Sequence, residues 1–365
     1  MDKVKKHIVL IEYVFLSLWM ISLIYLGYQI HLSYIGYNES FSAPLYLVFI
    51  LDTFVYVIIS FIVCVIWLVT RSIRKKQGIQ IVNSRLVHQF KVHKIRSILI
   101  VFTLFTLLSI LVIVLIQPII LYHPNHSAFA YQELIELDVY ETYEISDGNL
   151  TYQGFGFVDR DKVQPTIIYF GGNGESSAQT FYQYHQQDFF SHIQGYNFII
   201  IDYPGYGLSE GKTSDSSITK MAETVYDYMS SLSYVNESEI YVYGYSIGTG
   251  VSTYIASIKD IKGLILIAPY SSITDLFNSR LPIFKGLGQK LITEEFTSYL
   301  YAQDCQVKPL IIVSRSDQTI PIELSLKLAD AFLIEPSLFI LEQEAHNEFL
   351  DNSNVIDQIV NYLND

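Results

Sequence analysis

Residues 240–248 have the sequence IYVYGYSIG, in which a short apolar run leads into the pattern G-x-S-x-G. The run Ile240–Tyr243 predicts a buried strand and the residues after Gly248 predict a helix, so that the serine stands on a sharp turn between them. Such a turn strains the serine backbone and packs the strand closely against the helix. Only glycine leaves enough room at the flanking positions Gly244 and Gly248. The stretch therefore predicts a nucleophile elbow that presents the Ser246 hydroxyl at the end of a sheet.

The chain on both sides of this stretch alternates short apolar runs with helix-like segments, which indicates an α/β fold with a parallel sheet covered on both faces. Further strands are predicted at Thr166–Phe170, Phe198–Asp202, Gly263–Ala268, Leu310–Val313 and Leu338–Leu341, and helices near 175–192, 216–233, 247–258, 321–333 and 353–363. Residues 133–145 and 150–158 alternate apolar and polar residues, which predicts two antiparallel strands leading into the sheet. The long connection 270–306 predicts a small helical insertion above the sheet.

A serine hydroxyl needs a base to become nucleophilic, and the base needs an acid to orient it. His346 follows the last apolar run, and Asp317 follows the run before it. The order Ser, Asp, His is the one that this architecture requires. Asp304 is a weaker candidate for the acid, because it precedes its strand. Four histidines come before the nucleophile and compete poorly for the role of base: His123, His126, His185 and His192.

The sequence FGGNG at residues 170–174 ends the strand Thr166–Phe170. Glycines at this point allow backbone amides to turn toward the serine. We therefore expect the amide of Asn173 to pair with that of Ile247, at the start of the helix after the serine, as an oxyanion hole.

The composition divides the chain into two parts. Among its 365 residues 50% are hydrophobic and 16% charged, whereas roughly 25% charged residues are usual in soluble domains. Residues 1–129 carry a net charge of +7 and residues 130–365 one of −20. The total of −13 disfavours nucleic acid as a partner, and two cysteines exclude a disulfide framework and a cysteine-rich zinc site.

Three apolar stretches of the first third, 8–30, 44–70 and 97–121, are long enough to cross a bilayer as helices. The first is too long for a cleaved signal peptide. The connection 71–96 carries eight Lys and Arg residues, which predicts that it is cytoplasmic together with the N-terminus. We thus expect residues 1–122 to form a multi-pass domain in the cell membrane, 123–130 a short tether, and 131–365 a catalytic domain outside the cell.

The chain carries five features in order: FGGNG at 170–174, DYPGYGLSEG at 202–211, GYSIG at 244–248, Asp317 and His346. This ordered set resembles that of the α/β-hydrolase superfamily. The second motif is the most branch-specific and is similar to that of the serine-aminopeptidase-like branch, which includes membrane-anchored ABHD-type hydrolases.

The resemblance covers about residues 133–365. It implies an α/β-hydrolase fold with a mostly parallel eight-stranded sheet, helices on both faces, a small cap insertion, and neither metal nor organic cofactor. It also implies that Asp202 and Ser209 are structural loop residues. Relatives often carry His-Gly-Asn where this chain has Gly171-Gly172-Asn173, so a histidine that orders the oxyanion loop is missing.

These features predict a membrane-anchored serine hydrolase that cleaves an ester, thioester or amide through an acyl-enzyme. Ser246 is the expected nucleophile, His346 the base and Asp317 the orienting acid. The short tether and the apolar insertion favour a lipid-like acyl substrate taken from the membrane surface. Two alternatives stay open, an extracellular peptidase of aminopeptidase type and a non-catalytic hydrolase-fold module that binds a ligand. The sequence does not give the oligomeric state.

Overall fold

A computed structural model describes residues 121–126, 128–137, 139–280 and 286–365, together with scattered positions between 103 and 119. The predicted spans 8–30 and 44–70 lie outside the described residues, and so does most of 97–121. Within the part that is described, none of the helices combines the length and the apolar character needed to cross a membrane. The compact unit described below runs from Gln117 to Asp365.

An eight-stranded sheet forms the centre of this unit. Its strands are β1 (Glu141–Ser146), β2 (Thr151–Phe157), β3 (Gln164–Phe170), β4 (Asn197–Ile201), β5 (Val235–Tyr245), β6 (Gly263–Ile267), β7 (Pro309–Ser314) and β8 (Ser337–Leu341). Their spatial order is β1-β2-β4-β3-β5-β6-β7-β8. β2 is antiparallel to both β1 and β4, and every other pair of neighbours is parallel. The mostly parallel eight-stranded sheet is therefore confirmed.

The described helices are α1 (Ala128–Leu137), α2 (Ser177–Gln186), α3 (Phe189–His192), α4 (Asp215–Ser230), α5 (Gly248–Ile258), α6 (Ile273–Arg280), α7 (Ser298–Tyr301), α8 (Ile322–Ala329) and α9 (Ser353–Asn364). Short 3₁₀ segments are Gly286–Leu291, Ala302–Asp304 and Phe349–Asp351. The predicted helix 175–192 is divided into α2 and α3, with Asp188 between them in a left-handed conformation at φ 56°.

Helix α1 differs from the sequence prediction, which placed a strand over 133–145. The chain is helical to Leu137, and β1 begins only at Glu141. Ala130 and Leu134 are four residues apart, so they lie on one helical face, and both are buried in the apolar core. This packing outweighs the alternating pattern of the sequence. The segment expected as a tether, 123–130, is thus helical from Ala128 onward.

The central strands are buried along their whole length, as their continuous apolar runs predict. On one side of the sheet, aromatic rings fill the space beneath α2 and α3. Phe181 stacks on Phe190 at 5.2 Å between ring centroids, and Tyr169 meets Tyr243 edge-on at 4.7 Å. Tight packing of this kind holds the strand ends, and the loops that leave them, in fixed positions.

The described residues between β6 and β7 form α6, α7 and two of the 3₁₀ segments. This part of the chain packs on α5, the helix that follows Ser246. The Tyr270 hydroxyl donates a hydrogen bond to the carbonyl of Ile247 (3.2 Å). Phe296 is fully buried and lies so close to Gly250 that a Cβ there would be 3.1 Å from the Phe296 side chain.

Candidate active site

Ser246 lies on the turn between β5 and α5. Its φ is 52°, in the left-handed region that non-glycine residues rarely adopt. Its amide donates to the carbonyl of Ile267 in β6 (2.9 Å), which supports this conformation. A Cβ on Gly248 would lie 1.9 Å from the Phe170 carbonyl oxygen, and a Cβ on Gly244 would lie 2.6 Å from that of Gly248. Both glycines are therefore required by the close approach of backbones at the turn.

The structure brings the three predicted side chains together. His346 Nε2 lies 2.9 Å from Ser246 Oγ, and His346 Nδ1 lies 2.7 Å from Asp317 Oδ2. All three residues are buried, with exposed fractions of 5–7%. The Asp317 carboxylate can only accept a hydrogen bond, so His346 Nδ1 must donate to it and the ring proton is assigned to Nδ1. Nε2 is then free to accept from the serine hydroxyl.

The carboxylate is itself held in place by backbone. Asp317 Oδ1 accepts hydrogen bonds from the amides of Thr319 (2.7 Å) and Ile320 (2.9 Å). These two bonds leave Oδ2 as the oxygen that faces the imidazole. Asp304 is exposed in a 3₁₀ segment before β7, so the structure places Asp317, and not this weaker candidate, beside His346.

Sequence reasoning missed the residue that steadies His346. The Tyr245 hydroxyl donates to the carbonyl of His346, and its ring stacks on the imidazole with centroids 5.4 Å apart and planes at 26°. Tyr245 occupies the variable second position of G-x-S-x-G, so the motif carries no signal for this role. It lies directly before the nucleophile and contacts the base.

Glu175 stabilises the loop after β3, and it is a second residue that the sequence did not reveal. Glu175 Oε2 accepts from the amide of Gly172 and from the hydroxyl of Tyr169, both at 2.9 Å. Burial raises the pKa of Glu175 above its ordinary value. The Tyr203 hydroxyl also donates to the carbonyl of Gly171 (2.8 Å). Several groups therefore fix the backbone of this loop.

Within the described part of the chain, the two amides expected to form the oxyanion hole have no hydrogen-bond acceptor. Among the hydrogen bonds of the described residues, none is donated by the amide of Asn173 or of Ile247. The neighbouring amide of Gly172, by contrast, is used by Glu175. Amides without an internal partner at the end of β3 and the start of α5 are available to an incoming oxygen atom.

Asp202 and Ser209 bind the loop after β4 to neighbouring elements. Asp202 accepts from the amide (2.5 Å) and the hydroxyl (2.8 Å) of Ser177, at the start of α2. The Ser209 hydroxyl donates to the carbonyl of Asp202 (2.8 Å). Burial raises the pKa of Asp202 to about 6. A Cβ on Gly207 would lie 1.9 Å from the Asp202 carboxylate, so a glycine is needed where the two residues pack this closely.

The remaining candidates have other contacts. His126 Nδ1 lies 2.7 Å from the carbonyl oxygen of Gly207, and His185 Nδ1 lies 2.7 Å from the Tyr140 hydroxyl. His192 is exposed. Across the described parts of the chain, no three His, Cys, Asp or Glu side chains converge in a way that could hold a metal ion.

Comparison with known proteins supports the fold. Residues 165–298 match a family model described as alpha/beta hydrolase fold. A lysophosphatidylserine lipase, ABHD12 of Xenopus tropicalis, is 30% identical over 182 residues, which are 45% of this chain and 46% of the relative. An uncharacterized protein of Mycobacterium tuberculosis (strain H37Rv) is 25% identical over 174 residues, 47% of this chain and 61% of the relative. The chain thus spans roughly half of the length of the curated relatives that it matches.

Among solved structures, an esterase of Pyrococcus furiosus matches with a TM-score of 0.53 at 16% identity, covering 67% of this chain and 98% of the esterase. At this level of identity the likeness concerns the fold alone.

Proposed function

Because the chain belongs to the α/β-hydrolase superfamily, we propose that it is a serine hydrolase that cleaves an ester, thioester or amide through an acyl-enzyme. The observation that supports this most directly is the hydrogen-bonded series from Ser246 Oγ to His346 Nε2 (2.9 Å) and from His346 Nδ1 to Asp317 Oδ2 (2.7 Å). It is the arrangement that nucleophilic catalysis by a hydroxyl requires.

In the proposed reaction Ser246 Oγ attacks the substrate carbonyl carbon while its proton passes to His346 Nε2. The imidazolium that forms is stabilised by the Asp317 carboxylate. The imidazolium then gives the proton to the leaving oxygen, sulfur or nitrogen, and the carbon–heteroatom bond breaks. An acyl ester on Ser246 remains. A water molecule that loses a proton to His346 attacks this ester. As the bond from the acyl carbon to Ser246 Oγ breaks, His346 gives that proton to Oγ, which releases the acid and restores the serine and the neutral imidazole.

The amides of Asn173 and Ile247 are proposed to bind the oxyanion of both tetrahedral intermediates. No acceptor for either amide lies among the residues that the structure describes, which supports this role. Each such donor contributes about 3–4 kcal/mol to the stabilisation of the transition state. Both donors are backbone N–H groups, so their directions are set by the conformation of the loop after β3 and of the turn at Ser246.

For the substrate we propose an acyl ester of an amphiphile that carries a single acyl chain. Relatives of about 30% identity are lysophosphatidylserine lipases, and the predicted spans 8–30, 44–70 and 97–121 would keep the domain near a bilayer. The anchoring and the position of the catalytic domain outside the cell rest on the sequence.

Labelling of intact cells with a membrane-impermeant fluorophosphonate tests the nucleophile and its side of the membrane together. We expect the native chain and Ser231→Ala to be labelled and Ser246→Ala to remain unlabelled. Ser231 is an exposed serine at the end of α4 and serves as the control. Equal labelling of Ser246→Ala would refute the nucleophile. Labelling that needs permeabilised cells would refute only the external position.

The substrate class is tested with p-nitrophenyl esters of increasing chain length, a lysophospholipid and amino-acid p-nitroanilides. We expect kcat/KM to rise with chain length and the lysophospholipid to be cleaved. Faster cleavage of the anilides than of every ester would replace this proposal by the peptidase of aminopeptidase type. Ser246→Ala is the blank for each substrate.

A further inference from the structure

The residues that precede α1 are joined to the loop after β3. In this linker segment, Tyr122–His126, the Asn125 side chain donates to the carbonyl of Gly174 (2.9 Å). The Tyr122 hydroxyl donates to Glu294 in the insertion (2.8 Å). The linker segment is thus hydrogen-bonded both to the loop after β3 and to the insertion.

His123 makes the central contact of this segment, because it engages the whole carboxamide of Asn173. The His123 amide donates to Asn173 Oδ1 (2.8 Å), and the Tyr206 hydroxyl donates to the same oxygen (3.0 Å). Asn173 Nδ2 lies 2.7 Å from His123 Nδ1. Both polar atoms of the carboxamide therefore have partners, and His123 supplies one for each.

These contacts also settle the protonation of the His123 ring. A backbone amide can only donate, so the Asn173 atom that faces it must be the oxygen. The other atom is then the NH₂ group, which donates to His123 Nδ1. The ring is consequently neutral, with its proton on Nε2. Burial, which lowers the pKa of His123, agrees with this state.

The first two residues of the loop, Gly171 and Gly172, have no side chain that could make such a contact. A Cβ on Gly171 would lie 2.8 Å from Glu175 Oε2, and a Cβ on Gly172 would lie 2.8 Å from the Tyr245 ring. Both positions are therefore limited to glycine unless their neighbours move. Asn173 is the first residue after β3 whose side chain reaches out of the loop, and it contacts His123 and Tyr206.

We propose that His123 is a positioning residue of the oxyanion hole: it holds the Asn173 carboxamide and thereby sets the direction of the Asn173 backbone amide. The inference rests on the proposed function, since it assigns a partner to one donor of that site. The hydrogen bonds of His123 in the described part of the chain go to Asn173 and Tyr206, and none goes to Ser246. His123 acts on the reaction only through the loop.

The test uses the full chain in membranes and a short-chain p-nitrophenyl ester. His123→Ala removes the ring acceptor, and we expect kcat to fall by about 10- to 100-fold with KM nearly unchanged, because a small misdirection of a donor acts mainly on the transition state. His123→Asn places an oxygen acceptor near the position of Nδ1 and is expected to recover most of kcat. His192→Ala, at the exposed end of α3, is the matched control and should behave as native.

Asn173→Ala keeps the backbone amide but lacks the carboxamide. If His123 acts through that group, the kcat of Asn173→Ala should fall by about the same factor as that of His123→Ala. The kcat of the double variant should be little lower than that of either single variant. Additive losses in the double variant would overturn the inference. So would a native kcat in His123→Ala, or a folded His123→Asn with no recovery.

Thermal melts of every variant accompany the kinetics. If His123→Ala does not fold, Tyr206→Phe removes one of the two donors to Asn173 Oδ1 and should reduce kcat by a smaller factor. Loss of folding in every variant would assign His123 to stability and overturn the positioning role. Loss of labelling in Ser246→Ala with a native kcat in His123→Ala would refute this inference alone. Retained activity in Ser246→Ala would refute the proposed function itself.

Discussion

Replacement of Asp317 by asparagine isolates one element of the proposed mechanism, the position of the proton on His346. Asp317 Oδ1 accepts from the amides of Thr319 (2.7 Å) and Ile320 (2.9 Å). An asparagine must keep its oxygen at this place, because an NH₂ group cannot accept from an amide. Its NH₂ group is therefore turned toward His346 Nδ1.

The size of the effect follows from this orientation. With a donor facing it, Nδ1 must accept, so the ring proton moves to Nε2. Nε2 can then no longer take the proton from Ser246. A change of tautomer of this kind costs about 10⁴ in kcat in a serine protease triad, which corresponds to about 5 kcal/mol in the activation barrier. Asp317 and His346 are buried, so water has little access to restore the lost acceptor.

The assay compares kcat and KM of Asp317→Asn with those of Asp304→Asn, using a short-chain p-nitrophenyl ester and the full chain. Asp304 undergoes the same chemical change at an exposed position before β7, so its variant is expected to match the native rate. For Asp317→Asn we expect kcat to fall by about 10⁴ while KM changes little. A thermal melt confirms that both variants are folded.

A folded Asp317→Asn whose kcat lies within about tenfold of native would refute the reasoning, because His346 would then be oriented by something other than this carboxylate. A large loss in Asp304→Asn would point to the other acid.

Three further changes test the packing around the site. Gly248→Ala places a Cβ 1.9 Å from the Phe170 carbonyl oxygen. We expect a loss of stability of at least about 1–3 kcal/mol and a large fall in kcat, and an unchanged Tm with native activity would contradict the close approach. Tyr245→Phe keeps the stacked ring but removes the hydroxyl that donates to His346. Urea denaturation should show a loss of about 1 kcal/mol, and an equal free energy of unfolding would mean that this bond does not form. Burial raises the pKa of Asp202 from 3.8 to about 6. Between these two pH values the Asp202 carboxyl is therefore protonated in the folded state and ionised in the unfolded chain. Its contribution to stability is complete below pH 4 and decreases by about 3 kcal/mol as the pH rises to about 6. The free energy of unfolding of the native chain minus that of Asp202→Asn should follow this curve, and a flat difference would argue against the raised pKa.

The sequence predicted the central sheet, which the structure confirms, and the three side chains of the proposed triad, which the structure brings within hydrogen-bond distance. Strands β4, β6 and β7 are buried on both faces, so they appear as unbroken apolar runs, which is the strongest signal that a sequence gives for a parallel sheet. Ser246, Asp317 and His346 could be predicted because each follows a short apolar run of the sequence. The order of these three residues along the chain, Ser, Asp and His, then gives each its expected role as nucleophile, acid and base.

Helix α1 could not be assigned in the same way. Residues 135–139 alternate apolar and polar residues, and short segments of this kind fit either a strand or one face of a helix. The burial of Ala130 and Leu134 together decides for the helix. That packing depends on where the rest of the chain lies.

The residues that surround the site were also beyond the sequence. Glu175 and Tyr245 act through contacts between segments that are far apart in the chain, and no local pattern marks them. In the sequence His123 precedes the nucleophile and competes poorly for the role of base, so nothing there points to another function. Its contact with Asn173, fifty positions later, becomes visible only when the loop after β3 and the linker segment are seen side by side.

The contact between Tyr245 and His346 has a mechanical consequence. β6 and β7 separate β5 from β8 in the sheet, so the turn that carries Ser246 and the loop that carries His346 do not follow neighbouring strands. The tyrosine ring and hydroxyl span that distance. Because Tyr245 is the residue directly before Ser246, we expect a displacement of the turn to be passed to the imidazole through this contact.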